Sequence, residues 1–219
     1  MLRSLVLSLL VAGSALVTTS ALAHGDISKV NSSIRIDSGE TVGELTTVNG
    51  SIRLGDNVQA SEVSTVNGSI DIGDNASVES ADTVNGRITI GSHTRVSRDV
   101  ETVNGSLDLE EASDVSGDVA NVNGDIRLRS AHVGGRIQTV SGDIEIGADS
   151  IVDGGILVEK SNNWFNFGSS KPPRIVIGPR AVVKGSLDFE REVELLVSDS
   201  ASIGAVRGAT PVKFSGENP

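Results

Sequence analysis

The chain has no cysteine and no tyrosine, and aromatic residues make up 2% of it, one Trp and four Phe in 219 residues. Without cysteine there is no disulfide framework, no lipid-modified cysteine and no thiol nucleophile. The shortage of rings limits the shape of the interior. A wide core recruits aromatics for bulk, whereas a narrow stack of equal layers takes aliphatic side chains of matched size. Histidine occurs only at positions 24, 93 and 132, so nucleophilic or general-base catalysis has few residues to draw on. Basic residues are outnumbered, with a net charge of -11 that becomes -12 when Arg3 is removed with the leader described next. That balance excludes nucleic acid as a natural partner.

Long apolar runs are also missing, with one exception. Arg3, the run from Leu5 to Val17 and the small-residue step Ala21-Leu22-Ala23 form a tripartite signal peptide over residues 1–23. Export with cleavage after Ala23, to the periplasm or the cell surface, is the expectation. Ser8, Gly13, Ser14 and Thr18 interrupt the run and weaken it as a permanent span, so no stable membrane insertion is expected after cleavage.

The main content of the sequence is a repeat. Val30-Asn31-Ser32, Val48-Asn49-Gly50, Val66-Asn67-Gly68, Val84-Asn85-Gly86, Val103-Asn104-Gly105, Val122-Asn123-Gly124 and Val140-Ser141-Gly142 follow one another at intervals of 18, 18, 18, 19, 19 and 18 residues. A period near 20 sustained over this many copies signals stacked units that bury their apolar faces against their neighbours. Each motif leads into a strict alternation, as in Ile34-Arg35-Ile36, Ile70-Asp71-Ile72 and Ile144-Glu145-Ile146, which is a half-buried strand.

The fold expected is all-β: a single-stranded parallel β-helix, or β-solenoid, three-sided, with about nine turns of 18–19 residues. A right-handed sense follows the general bias of parallel crossovers. Leu45, Val63, Ala81, Val100, Val119 and Ile137, three residues before each motif valine, point inward, with Thr or Asn two places later. Val58 with Ala60, Ala76 with Val78, and Thr94 with Val96 suggest a further short side. The extra residue of each 19-residue turn falls before Val100 and Val119, as a bulge stacked on a bulge. Asn-Gly marks a corner, with glycine there for its freedom at positive φ. The organisation expected is a lead-in at 24–29, regular repeats at 30–160, an inserted loop at 161–173, further turns at 174–206 and an irregular tail at 207–219.

Several residues stand out as functional candidates. Stacked Asn49, Asn67, Asn85, Asn104 and Asn123 can form an amide ladder along the axis, or remain simple turn residues. Trp164, Phe165 and Phe167 place three of the five aromatics in one short loop, either as a cap over the stack or as a partner contact. Arg53 over Asp71 and Arg127 under Glu145 would pair between turns. Asp56 and Asp74, each in a Gly-Asp-Asn corner, are turn formers before they are calcium ligands, because calcium needs six to eight oxygens. His93 and His132 read as exposed corner residues. Leu54, Ala60, Val66, Ile72, Val78, Val84, Ile90 and Val96 recur every six residues, which describes a triangular solenoid and not any particular enzyme.

The recurring Thr-Val-Asn-Gly-Ser-Ile pattern, with its variant Val140-Ser141-Gly142-Asp143-Ile144-Glu145-Ile146, resembles the bacterial adhesin-type family of β-strand repeats. The run from Ile175 to Leu187 resembles the bactofilins, which are polymer-forming solenoids. Neither resemblance brings catalytic residues. The leader implies export, a departure from the usually cytoplasmic bactofilins, and with it the resemblances imply a non-enzymatic scaffold without metal or cofactor, partnered by its own copies or by an envelope protein or glycan. A carbohydrate-binding module is the alternative, and a β-helix enzyme of the polysaccharide lyase or hexapeptide-transferase kind is a third reading.

Overall fold

The computed structural model describes residues 25–160 and 171–219. The leader, with its cleavage point, and the aromatic residues Trp164, Phe165 and Phe167 lie outside them. Every regular element among the described residues is a strand, and all strand pairings are parallel. No helix there is long and apolar enough to cross a membrane.

The chain winds as a three-sided β-solenoid. The first face holds ten strands, from Ile27–Lys29 through Leu45–Asn49 and Glu62–Asn67 to Val206–Arg207. The second holds ten more, from Ile34–Ile36 to Val212–Phe214, and the third holds seven two-residue strands from Ser77–Val78 to Ser202–Ile203. Single bridges Thr41 to Gln59 and Gln59 to Ser77 extend the third face toward the N-terminal end. Nine turns are complete and a tenth begins, which at the usual strand spacing gives a rod on the order of 40 Å long. Residues 207–219, expected as an irregular tail, contribute to that tenth turn: Val212–Phe214 pairs with Leu196–Ser198.

Straight columns of aliphatic side chains fill the interior. Leu45, Val63, Ala81, Val100, Val119, Ile137, Ile156 and Leu187 form one, and Ile52, Ile70, Ile88, Leu107, Ile126, Ile144 and Ile175 another, all fully buried. The third face supplies valine: Val78, Val96, Val115, Val133, Val152 and Val183. Beside them runs a column of small residues, among them Ala76, Thr94, Ser113, Ala131, Ser150 and Ala181. A layer this thin leaves no room for rings, which accounts for the aromatic shortage; Phe189 is the one aromatic in the core described here.

The six-residue recurrence does not coincide with the inward set. Ile72, Val78, Ile90 and Val96 are buried, but Val66 and Val84 sit half-buried on the outer side of the first face, where Val63 with Thr65 and Ala81 with Thr83 point inward.

The three-residue corner before Val100, residues 97–99, does stack on the one before Val119, residues 116–118. Val96 pairs with Val78 at an offset of 18, yet Val100 pairs with Ala81 at an offset of 19, so one residue is added between them. The turns through Leu187 keep this wider corner, and the last, between Ile203 and Val206, loses the residue again. The return to an 18-residue interval comes from a different place: Leu128 pairs with Leu109 at 19 while His132 pairs with Asp114 at 18, so residues 129–131 form a corner one residue short.

Two corner columns show why particular residue types recur. At the Asn-Gly corner, Gly50, Gly68, Gly86, Gly105 and Gly142 do not have positive φ; Gly124, at +124°, is the exception. The expectation of glycine for its left-handed freedom is therefore wrong here. A Cβ on any of these glycines would run into the carbonyl of the corner stacked against it, Ser32 against Gly50, Gly50 against Gly68 and so on. Ser32 stands at the matching place in the first turn, where no described strand stacks beneath. The left-handed corner is a separate column of Gly39, Asn57, Asn75, His93, Ala112, Ser130, Asp149 and Arg180, occupied mostly by non-glycine residues. Asparagine and aspartate tolerate that region; Ala112 has no side-chain group to compensate for it.

Candidate functional site

The corner between the first and second faces carries a continuous amide ladder. Asn49 Nδ2 donates to Asn31 Oδ1, Asn67 to Asn49 and Asn85 to Asn67, each at 2.9 Å; Asn104 donates to Asn85 at 3.1 Å and Asn123 to Asn104 at 3.0 Å. In-register parallel stacking produces this geometry, because it sets equivalent side chains one strand spacing apart. The adjoining backbone is also tied: the N–H of Gly68 reaches Asn85 O at 3.0 Å, that of Gly86 reaches Asn104 O at 3.0 Å and that of Gly105 reaches Asn123 O at 2.8 Å. The column continues past Asn123 as Ser141, which has no amide, and Arg191 donates from further along to Val140 O at 3.0 Å.

Beneath the ladder lies a buried polar column. Thr47, Thr65, Thr83 and Thr102 donate through Oγ1 to the carbonyls of Ser32, Gly50, Gly68 and Gly86, at 3.0, 2.9, 3.1 and 3.3 Å. The turn before supplies the acceptor in each case, so this column welds the corner to its neighbour. Asn121 breaks the pattern. Its Nδ2 donates at 2.6 Å to Gly124 O, the acceptor that Thr139 would use, and both Asn121 Oδ1 and Thr139 Oγ1 are buried without a partner.

On the outer side of the first face, Val48, Val66, Val84, Val103 and Val122 form a half-buried aliphatic stripe beside the ladder. An acidic column borders it. Asp82 pairs in register with Glu101, and Glu62 and Asp99 stand close by. Burial first, then Glu101, Glu62 and Asp99, push the Asp82 carboxyl up to about 7 against the weaker pull of Ser80. Glu101 is raised as well, by burial and then by Asp99 and Asp118.

The third face carries an alternating charge chain. Arg95 Nε meets Asp114 at 3.1 Å, Asp114 Oδ1 meets His132 Nδ1 at 2.7 Å, His132 Nε2 meets Asp153 at 3.3 Å, and Lys184 Nζ meets Asp153 at 2.9 Å. Burial lowers the His132 pKa, but the hydrogen bonds that the ring donates to the two carboxylates, with their charge, outweigh it and the net shift is upward. His132 is thus not a corner residue like His93. It sits in the strand His132–Val133, because the shortened 129–131 corner moves it one place along.

The second face holds Asp108, buried under Arg87 at 3.4 Å, Arg127 at 3.6 Å and Arg129 at 3.9 Å. Arg53 pairs with Asp71 at 3.1 Å. Arg127 lies in register with Glu145 but turns away from it, to Asp125 and Asp108. A shallow groove of about 420 Å³ runs between this face and residues 217–219, and its ionisable lining is arginine and carboxylate.

Asp56 and Asp74 accept backbone N–H groups from the adjoining turn, Asp74 N at 3.0 Å and Ser92 N at 2.8 Å, which is turn-forming work. Among the described residues no group of three His, Asp or Glu is placed to hold a metal ion. The sequence reading missed the Asp114–His132–Asp153 bridge, since only the one-residue deletion aligns those side chains, and it missed the displaced Asn121. No protein-family description, curated protein or solved structure matches this chain, so the resemblances of its repeats rest on the motif residues alone.

Proposed function

We propose that this chain is an exported, non-enzymatic scaffold of the bacterial envelope that associates side by side with its own copies. The observation carrying this reading is the valine stripe, an aliphatic line five turns long on the outside of a flat sheet, flanked by an ordered amide ladder. An apolar line on a rigid face is suited to contact with a like surface. The polar side chains favour the same reading: among the described residues, His132, Thr47, Thr65, Thr83, Thr102 and most arginines are bonded between turns of the solenoid, and none converges with others in a deep cleft. The leader and the likeness to adhesin-type and bactofilin repeats add the location and the self-assembling character.

Association by faces is favoured over association by the C-terminal end. In the last strand Lys213 takes the inward column held by Ile146, Ile177 and Val197 in earlier turns. A charged residue in an inward column opposes the stacking of a further turn. Sedimentation velocity of residues 24–219 over a concentration series tests the proposal. Concentration-dependent association that Val84→Lys abolishes without lowering the melting temperature is the expected result. A chain that stays monomeric throughout, or associates equally well as the lysine variant, overturns it.

A further inference from the structure

The ladder suggests a chemistry of its own. In an Asn-Gly step the glycine backbone nitrogen can attack Cγ of the asparagine side chain, forming a C–N bond. Ammonia then leaves with the carboxamide nitrogen, and the product is a five-membered succinimide. One water opens that ring at either carbonyl, giving aspartate or, with the main chain rerouted through the side-chain carbon, isoaspartate. No oxidant or reductant takes part. Glycine favours the step because it has no Cβ to obstruct the closing ring. Five such steps occur here, at Asn49, Asn67, Asn85, Asn104 and Asn123.

Ring closure requires the carboxamide to swing out of the ladder toward the glycine nitrogen. Asn49, Asn67, Asn85 and Asn104 are held on both sides, since each donates through Nδ2 to one neighbour and accepts through Oδ1 from the other. Asn123 is held on one side only. It donates to Asn104, but the next residue of the column is Ser141, which offers no amide to its Oδ1. Two further features mark the same rung. The strand stacked on Val119–Asn123 is Ile137–Thr139, which stops short, so Asn123 is covered by a single isolated bridge. Gly124 alone among the corner glycines has positive φ, and Asn121 Nδ2 pulls on its carbonyl at 2.6 Å.

We infer that Asn123 is a site of spontaneous succinimide formation in the folded protein, and that the other four Asn-Gly steps are protected by the ladder. Conversion has a consequence for the stack. An aspartate at 123 presents an acceptor to Asn104 Oδ1 where there was a donor, and an isoaspartate adds a methylene to the backbone, which an in-register turn cannot take up. Asn104 then becomes the exposed rung. The ladder is lost from this end inward.

Peptide mapping by mass spectrometry reads the amide-to-acid conversion at each site, after the mature chain is held at mildly alkaline pH, folded in one sample and in urea in the other. One hydrogen bond fewer corresponds to about a five- to tenfold faster local opening. The folded sample is therefore expected to convert Asn123 at about five to ten times the rate of Asn67 or Asn85, with Asn104 following it. In urea the five should react alike. Equal rates in the folded sample, or Asn67 or Asn85 ahead of Asn123, overturn the inference. Ser141→Asn adds a seventh rung whose Nδ2 can reach Asn123 Oδ1. The variant should bring the Asn123 rate down to that of the interior rungs, and an unchanged rate in a variant that keeps the parent's melting temperature overturns the role given to the ladder.

Discussion

The turns before and after residue 160 share one backbone path but solve the corner between the first two faces differently. Before it, that corner is Asn-Gly, a threonine sits beneath, and the outward column of the second face is largely charged: Arg35, Arg53, Asp71, Asp108, Arg127, Glu145. After it, residues 190–193, which include no glycine, take the place of that corner. The buried threonine column becomes Val158 and then Phe189, and the outward column becomes Val176, Leu196 and Val212. The lesson is one of dependence. A buried hydroxyl is tolerable only where a corner carbonyl stands within reach, and when the corner changes the hydroxyl goes with it.

The largest effect expected tests the inward columns common to both regions. Ile70→Asp buries an unpaired carboxylate in the middle of the stack and should cost about 4 kcal/mol or more, whereas Asp71→Ala removes a half-exposed side chain and its pair with Arg53 and should cost about 0.5 kcal/mol. Similar melting temperatures for the two variants would refute the strand orientation.

Next in size is a test of what distinguishes the two corners. Gly86→Ala drives a methyl group against the carbonyl of Gly68 in a stack that cannot spread, and about 2–3 kcal/mol should be lost. The same kind of change at Gly39 meets open space but imposes a side chain on a φ of +80°, so about 1 kcal/mol is expected there. A larger loss at Gly39 than at Gly86, measured by denaturant unfolding, would show that conformational freedom and not close approach explains the corner glycines.

The columns were legible in the sequence because a parallel stack in register repeats every environment at a fixed interval, and so does the residue that suits it. The inward aliphatics, the polar column beneath the motif and the stacked bulge all follow from the spacing of Val-Asn-Gly. What could not be read was anything depending on a single change in that spacing. The deletion at 129–131 and the insertion before Val100 cancel in the motif interval, so nothing in the motif reveals that His132 joins Asp114 and Asp153. The purpose of the corner glycine was also hidden, because close approach and positive φ select the same residue. Of the candidate site, the asparagines could be named from the sequence; which end of their column lacks a partner depended on the bonds.

Titration separates the regions again, since Asp82 and Glu101 lie in the regular half. Asp82 holds its proton more tightly folded than unfolded, with a carboxyl raised from 3.8 to about 7, so its contribution is fully present below the unfolded value and is lost as pH rises toward 7. Glu101 acts in the same direction, and so does His132, whose raised pKa makes its contribution fade as the ring loses its proton. Thermal stability should therefore decline from mildly acidic to mildly alkaline pH. Asp82→Asn removes the largest part of that slope and should stabilise the alkaline side by about 1–2 kcal/mol, allowing for partial solvent screening. A variant whose stability profile runs parallel to that of the parent would show that the stacked carboxylates are relieved by solvent.

The smallest effect concerns the one rung where the regular half breaks its own rule. Asn121 stands in the threonine column, takes Gly124 O at 2.6 Å and reaches Gly105 O only at 3.5 Å, the limit of a hydrogen bond. Its Oδ1 and the Oγ1 of Thr139 are left buried and unpaired. Asn121→Thr should restore the column: the new hydroxyl donates to Gly105 O as Thr102 does to Gly86 O, and Gly124 O is freed for Thr139. Removing one unpaired buried atom, Asn121 Oδ1, and giving a partner to the other, Thr139 Oγ1, should raise stability by about 1 kcal/mol. The double variant Asn121→Thr with Thr139→Val separates the two contributions, because the gain should shrink when no hydroxyl remains at 139 to use the released carbonyl. If Asn121→Thr is neutral or destabilising, the carbonyl of Gly124 is not what Thr139 lacks, and the asparagine holds the corner in place by its own bond.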